Sequence, residues 1–261
     1  MSKKTRGKRI MVIPDAQIKP DTPTDHIEWA AKYAVEKKPD VIVNIGDWAD
    51  MPSLSSYDEG KKSFEGRRYT KDIEAANSAM DIFMKPIVAE TARVAKNKKK
   101  RWDPRLVLTL GNHEHRIERA IESDAKLEGL ISYEDFNFHE WGWEVYPFLE
   151  VVVVEGVAFS HYFTSGVMGR PVSSARAMLN KKHMSSVMGH VQDRDIAFAK
   201  RADGRNMTGL FVGIFYSHDE DYLTPQTNGS WSGIWMLHEV EDGSFDEMAV
   251  SMSYLENKYG K

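Results

Sequence analysis

The chain has 261 residues and no cysteine, and its formal net charge is −4 at pH 7. Hydrophobic residues at 41% and charged residues at 28% are typical of a globular enzyme, and the length suffices for a substantial core. The composition excludes disulfide scaffolds and thiolate zinc sites and argues against a general polyanion binder. No apolar run is long enough to cross a bilayer and the basic N-terminus lacks the apolar segment of a signal peptide, so we expect a cytoplasmic protein.

The first half of the chain alternates apolar runs with helical patterns. A helix is expected from the cap residue Thr24 to about Pro39, and a second helical pattern covers residues 73–96. Pro86 lies inside that second pattern and predicts a kink or two helices. Residues 51–72 form a polar excursion without a strong period. Buried strands are expected at 8–13, 41–45 and 106–110, and a further helix at 116–121.

The second half is richer in strands. Residues 149–154 and 157–160 predict a β-hairpin that turns at Glu155-Gly156, and the aromatic residues of 124–144 are expected to pack in the core. A helix at 173–183 and a short strand at 185–188 follow. Only β-type runs come afterwards, at 196–199, 208–215, 233–239 and 247–253. With no repeat or linker, these patterns predict one domain over residues 1–261, of the α/β class with more than one sheet.

Five polar clusters each follow the carboxyl end of an apolar strand. In an open α/β sheet that edge is where ligands bind, so clusters distant in sequence are expected to meet in space. The clusters are Asp15-Ala-Gln17, Gly46-Asp-Trp-Ala-Asp50, Gly111-Asn-His-Glu114, His161 and Gly189-His-Val-Gln192.

This ordered set resembles the calcineurin-like metallophosphoesterase superfamily. The pattern of that superfamily is D-x-H, GD-x-x-D, GNH-E/D, a lone His and GH-x-H, and its order agrees over residues 15–192. Three blocks match at their defining positions. Two positions depart, because Gln17 and Gln192 stand where the superfamily has histidines.

The resemblance implies a four-layer α-β-β-α sandwich with two mixed sheets and two divalent metal ions at the strand ends. Asp47 would bridge the two ions. The first ion would take Asp15, Gln17 and Gln192, and the second Asn112, His161 and His190. Oxygen donors favour Mn²⁺ or Mg²⁺ at the first position, whereas the imidazoles suit Mn²⁺, iron or Zn²⁺ at the second.

The chemistry of these residue types predicts hydrolysis of phosphate esters. Two neighbouring cations clamp a phosphoryl group and generate hydroxide at neutral pH. His113 would donate a proton to the leaving oxygen, and Asp50 would orient that imidazole and favour its protonated form. Asn112, His113 and Arg116 are the candidate substrate contacts, although Arg116 also suits the solvated face of its helix. Glu114 is expected to hold the loop.

Several alternatives remain open at the level of sequence. His139 and His183 are rivals of His161, but packing or surface positions suit them better. The basic runs 3–9 and 98–101 favour solvated surface, with nucleic-acid contact as the alternative. Residues 218–221 favour an acidic surface loop over a cation site, and residues 228–233 suit a substrate loop or a turn equally.

The expected substrate is a nucleotide or another small phosphoester. A nuclease acting on DNA or RNA is the first alternative, since the two basic runs are compatible with it. A binding protein on the same scaffold is the second, because the two glutamines would also result from erosion of the first metal position. The oligomeric state is not predicted.

Overall fold

The structure, a computed structural model, describes residues 6–56, 60–96, 101–218 and 230–260. Residues 3–5 and 98–100 of the basic runs lie outside the described residues, as do residues 219–221 and 228–229 of the two candidate loops. The prediction of one domain over residues 1–261 therefore stays a prediction.

Eleven strands in the described residues form two mixed sheets. They are β1 Lys8–Ile13, β2 Val41–Asn44, β3 Arg105–Thr109, β4 Glu144–Tyr146, β5 Val152–Val154, β6 Val157–Phe159, β7 Ser186–Met188, β8 Arg194–Lys200, β9 Asn206–Val212, β10 Gly233–Glu241 and β11 Ser244–Ser251. The first sheet has the order β11-β10-β1-β2-β3-β4 and the second has the order β5-β6-β7-β9-β8. Strands β1 to β4 run parallel, as do β6, β7 and β9, so their carboxyl ends share two edges.

Five α-helices accompany the strands in the same residues. They are α1 Asp25–Lys37, α2 Tyr69–Lys96, α3 Arg116–Ser123, α4 Ala175–Lys182 and α5 Met252–Tyr259. None of the described helices combines the length and the low polarity that a membrane span requires.

Three apolar clusters define four layers. Between the sheets, β-branched residues of β1, β2 and β3 pack against those of β5, β6, β7 and β9, including Val12, Val43 and Val187. On the outer face of the first sheet, Met11 and Ile42 pack against α1 and α2 through residues such as Phe83. On the outer face of the second sheet, α4 packs through Met178 and Leu179 against Ala158 and Phe211. The predicted four-layer α-β-β-α sandwich with two mixed sheets is confirmed.

The local predictions hold except where tertiary packing decides. The hairpin turning at Glu155-Gly156 is present, with Val154 opposite Val157. Of the two outcomes predicted at Pro86, a kink or two helices, the second is wrong, because α2 continues through Pro86 as one helix. This helix begins at Tyr69, inside the predicted polar excursion. One strand and one α-helix were not predicted. Strand β4 pairs with three residues of β3, and helix α5 begins where β structure was expected up to residue 253. Ser251 ends that strand, since its hydroxyl accepts from the backbone N–H of Tyr254 at 3.3 Å and caps the helix.

Candidate metal centre

The five polar clusters lie at the carboxyl ends of parallel strands, as the sequence predicted. Asp15 follows β1, Asp47 follows β2 and Asn112 follows β3, and these three strands are neighbours in the first sheet. His161 and His190 follow β6 and β7, which are neighbours in the second sheet. The two edges face each other, so the clusters converge on one centre.

Beside the carboxylate of Asp47, two imidazole nitrogens meet at the side chain of Asn112. Its Oδ1 lies 2.9 Å from Nε2 of His161 and 2.7 Å from Nδ1 of His190. Oδ2 of Asp47 lies 3.3 Å from the same His161 nitrogen. Donor atoms of Asp47, His161 and His190 all fall within 4.8 Å of one another. An imidazole pair with a carboxylate and an amide oxygen is a donor set that suits a divalent transition metal.

The electrostatics of this group also fit a cation. Burial opposes charge on His161, yet the carboxylates of Asp47 and Asp15 raise its pKa to about 9. Burial and the charge of His161 lower the pKa of His190 to about 4. Burial likewise opposes charge on Asp47, but His113 and His161 hold its pKa below the ordinary value. A bound cation would take over the role of the His161 proton and keep the imidazoles neutral and the carboxylates ionised.

Asp15 offers a second set of oxygens beside the first. It is fully buried, and its Oδ2 accepts from the backbone N–H of His190 at 2.9 Å. Its Oδ1 is buried and has no hydrogen-bond partner among the described residues, and burial raises the pKa of this carboxyl to about 7. A buried carboxylate oxygen without a donor fits the role of a metal ligand, which would restore its charge.

The two glutamines lie close to these candidate ligands along the backbone. Gln17 is buried, and its N–H donates to the carbonyl of Asp47 at 2.8 Å; Gln192 is half-buried and follows His190 by two residues. Gln17, Asp47, His190 and Gln192 all have positive φ, at 42°, 49°, 67° and 59°. Such left-handed conformations are unfavourable for residues other than glycine, and they cluster at functional sites.

A histidine–aspartate pair adjoins the centre. Nδ1 of His113 lies 2.7 Å from Oδ1 of Asp50, and its Nε2 faces Oδ2 of Asp47 at 3.7 Å. Burial opposes protonation of His113, but Asp47 and Asp50 raise its pKa. Arg116 donates through Nη1 to the carbonyls of Asp50 at 2.7 Å and Met51 at 3.2 Å, and its Nη2 lies 3.4 Å from Nε2 of His113. The structure thus brings Arg116 to the pair that the sequence predicted to handle the leaving group.

Glu114 links the second and third clusters. Its carboxylate is fully buried and accepts three backbone N–H groups, from Gly111 at 2.8 Å, Asp47 at 3.0 Å and Ala49 at 2.9 Å. A β-carbon at Gly111 would collide with the carboxylate of Asp47, so a glycine is needed there. Glu114 therefore holds the two loops together, as expected from the sequence.

The rival histidines lie apart from this centre. The side chain of His139 is 56% exposed and lies 4.0 Å from Glu134, and His183 closes α4 as its C-cap with φ of 56°. Two aromatic residues close to the histidines of the centre were not singled out from the sequence. The ring centroid of Tyr162 lies 4.6 Å from that of His190, and the ring centroid of Phe148 lies 6.2 Å from that of His161. The position of Tyr162 directly after His161 was the available signal.

Comparison with known proteins gives structural matches only. No protein-family model matches the sequence, and no curated relative matches it either. Vps29 of Entamoeba histolytica, solved with zinc, is 10% identical with a TM-score of 0.43, over 94% of this chain and 99% of its own. The Escherichia coli phosphoesterase YfcE is 13% identical with a TM-score of 0.37, over 93% and 100%. A predicted phosphoesterase of Streptococcus pneumoniae is 11% identical with a TM-score of 0.33, over 93% and 98%.

All three TM-scores are below 0.5, so the fold assignment rests on the layers and strand orders of this chain. The chain resembles the calcineurin-like metallophosphoesterase superfamily in the order of its motifs. Its polar clusters lie at the strand ends where ligands of α/β proteins bind.

Proposed function

We propose that the protein is a metal-dependent phosphoester hydrolase that uses two divalent cations. The observation that carries the proposal is the convergence of His161 and His190 on Asn112, beside the buried carboxylate of Asp47. Apolar packing gives no reason to bring two imidazoles to one amide oxygen beside a buried carboxylate. A cation that all of them coordinate does give such a reason.

Two cation positions divide the ligands, with Asp47 shared between them. We assign Asn112, His161 and His190 to a cation such as Mn²⁺, iron or Zn²⁺. We assign Asp15, Gln17 and Gln192 to a harder cation, Mn²⁺ or Mg²⁺, because their donors are oxygens. The unpartnered Oδ1 of Asp15 supports this second assignment.

Bound cations would clamp the phosphoryl group and supply a hydroxide nucleophile at neutral pH. The proton for the leaving oxygen would come from Nε2 of His113, which faces the carboxylate of Asp47 at 3.7 Å. Asp50 would orient the ring through its contact with Nδ1. Asn112 and Arg116 would contact phosphoryl oxygens, with Arg116 held by the carbonyls of Asp50 and Met51.

The proposed substrate is a nucleotide or another small phosphoester in the cytoplasm. The net charge of −4 supports a small substrate over a long nucleic acid, since duplex binding relies on many cation–phosphate contacts. A nuclease and a binding protein on the same scaffold are the competing functions.

The test is hydrolysis by purified protein after chelation and again after addition of Mn²⁺. Substrates are p-nitrophenyl phosphate, its bis ester, and labelled single- and double-stranded DNA. We expect turnover that depends on Mn²⁺, lost in His190→Ala and kept in the matched control His183→Ala. Cleavage of DNA alone would identify a nuclease. Mn²⁺ binding without turnover of any substrate would identify a binding protein.

A further inference from the structure

The metal centre opens to solvent on one side. Asp47 and His161 are buried, with 1% and 0% of their surface exposed, whereas Asn112 and His190 are half-buried. A phosphoester can therefore reach the cations past half-buried ligands such as Asn112 and His190. A group attached to a phosphate that enters there would come close to the residues next to those two.

Three half-buried rings, which we call the aromatic ridge, border this opening: His115, Phe148 and Tyr162. His115 follows Asn112 by three residues and stacks on Phe148, with centroids 4.8 Å apart and an interplanar angle of 26°. Phe148 meets Tyr162 edge-on at 5.6 Å, and Tyr162 lies 4.6 Å from the ring of His190. The ridge therefore reaches from the segment that carries Asn112 to the ring of His190.

The aromatic ridge differs from the aromatic pairs of the core. Phe136 and Phe138 stack at 4.7 Å and are only 3% and 2% exposed, so their packing is complete. The ridge residues instead remain partly open to solvent. Their rims also carry polar atoms: Nδ1 of His115 contacts the hydroxyl of Tyr133 at 3.1 Å, and the hydroxyl of Tyr162 donates to Gly169 at 3.3 Å.

We propose that the aromatic ridge is a binding subsite for the base of a nucleotide whose phosphate lies at the metal centre. Aromatic side chains bind bases of any sequence by stacking, since every base has a π-face. A base is flat and polar at its edge, which matches rings whose rims carry hydroxyl and imidazole groups. The inference rests on the proposed function and names the substrate class of that same site.

An acyl chain is the competing occupant, because Val167 and Met168 form a strongly exposed apolar tip, 103% and 79% exposed. The hydrogen bond from Tyr162 to Gly169 joins that tip to the ridge. The rings themselves lie directly beside the metal ligands, within the reach of a base joined to the phosphate through one sugar. The ridge therefore favours the nucleotide.

The test compares pairs of phosphoesters in which one member carries a nucleoside and the other lacks the base. For diesters, the pair is thymidine 5′-(p-nitrophenyl phosphate) and methyl p-nitrophenyl phosphate, which share a leaving group. For monoesters, the pair is thymidine 5′-monophosphate and deoxyribose 5-phosphate, and the release of inorganic phosphate measures their hydrolysis. In Mn²⁺-loaded wild type, we expect kcat/KM to be about 5- to 100-fold higher for the nucleoside member of at least one pair. Tyr162→Leu and Phe148→Leu should reduce this ratio toward one, and Tyr162→Phe should preserve it.

General damage to the centre would lower both members of a pair alike and leave the ratio unchanged. A wild-type ratio near one, or a ratio unaffected by both leucine variants, would overturn the subsite while leaving the hydrolase intact. A ratio lowered only by Val167→Ser and Met168→Ser would overturn it as well. If no substrate is hydrolysed, calorimetry on Mn²⁺-loaded protein still tests the subsite. Tighter binding of thymidine 5′-monophosphate than of inorganic phosphate would support it, provided that Tyr162→Leu abolishes the difference. Equal binding of the two ligands would refute it.

Discussion

Nδ1 of His113 lies 2.7 Å from Oδ1 of Asp50, and the other nitrogen of the same ring faces Asp47 at 3.7 Å. The aspartate fixes the orientation of the imidazole, because a charge-assisted hydrogen bond at this distance is strong and directional. Nε2 is therefore the nitrogen that we propose meets a substrate. In the proposed mechanism, the pair combines a proton donor and its orienting group without using either as a metal ligand.

Removal of the His113 ring should separate leaving-group chemistry from metal binding. We expect His113→Ala to retain its metal content and to lose about 10²- to 10⁴-fold in turnover of alkyl phosphates. Aryl phosphates should lose less, since their leaving oxygen needs little protonation. His139→Ala, at an exposed position, is the matched control. Equal losses on alkyl and aryl substrates would remove the proton-donor assignment.

Asp47 and Asn112 should affect metal binding differently. Asp47→Asn removes the charge shared by both positions, so we expect lost activity and reduced occupancy of both cations. Asn112→Ala should weaken mainly the cation held with His161 and His190, since its Oδ1 lies within 2.9 Å of both rings. Metal content by mass spectrometry of dialysed protein measures both effects. Full two-metal occupancy in Asp47→Asn would contradict the bridging role.

The ordered clusters made the centre predictable from sequence. Each cluster follows a run of buried apolar residues, and parallel strands bring such ends to one edge whatever lies between them. The alternation of strands and helices predicted an α/β protein with more than one sheet, and the resemblance to the superfamily supplied the four layers. Neither inference depends on where a particular side chain points.

What could not be predicted depends on distant contacts. Strand β4 has only three residues, and its pairing with β3 gives it no periodic signature in the sequence. Helix α2 passes Pro86 because burial of residues such as Phe83 and Ile87 on its inner face outweighs the local cost of proline. The position of Phe148 beside the metal centre follows from its contacts with His115 and Tyr162. His115 lies far before it in the sequence, and strands β5 and β6 separate it from Tyr162.

Glu114 should prove structural. In Glu114→Gln the amide nitrogen would face at least one of the three backbone N–H groups that the carboxylate now accepts. A buried donor without an acceptor costs about 1–3 kcal/mol, so we expect the free energy of unfolding to fall by that amount. Glu118→Gln, on helix α3, is the control. Denaturant unfolding of metal-free protein is the measurement, and equal stability of the two variants would contradict the role of Glu114.

His26 should make the fold sensitive to mild acid. The ring is 3% exposed and packs edge-on against Phe215 at 5.0 Å, and burial lowers its pKa to about 4. The unfolded chain binds the proton near pH 6.5, so the stabilisation is complete above that pH and is lost as the pH falls toward 4. Between pH 7.5 and 4.5, wild type should lose about 2–3 kcal/mol more than His26→Leu. Urea unfolding in the presence of chelator measures this difference, and parallel pH profiles would show that His26 does not contribute.

The two glutamines should determine which cation occupies the position at Asp15. Gln17 and Gln192 both have a left-handed backbone, and Gln17 is buried beside the carbonyl of Asp47. Strained backbone of this kind clusters at functional sites, which supports the proposed ligand roles. Neutral amide oxygens bind divalent cations more weakly than imidazoles and prefer harder ones. After chelation we therefore expect activity to return best with Mn²⁺ or Mg²⁺, and only with metal in excess. Conversion of both residues to histidine should tighten this position and shift its preference to Zn²⁺ or iron, measured by metal titration and by anomalous scattering from crystals. An empty position at saturating Mn²⁺, together with full activity of Gln17→Ala and Gln192→Ala, would show that the amides are not ligands and that one cation suffices.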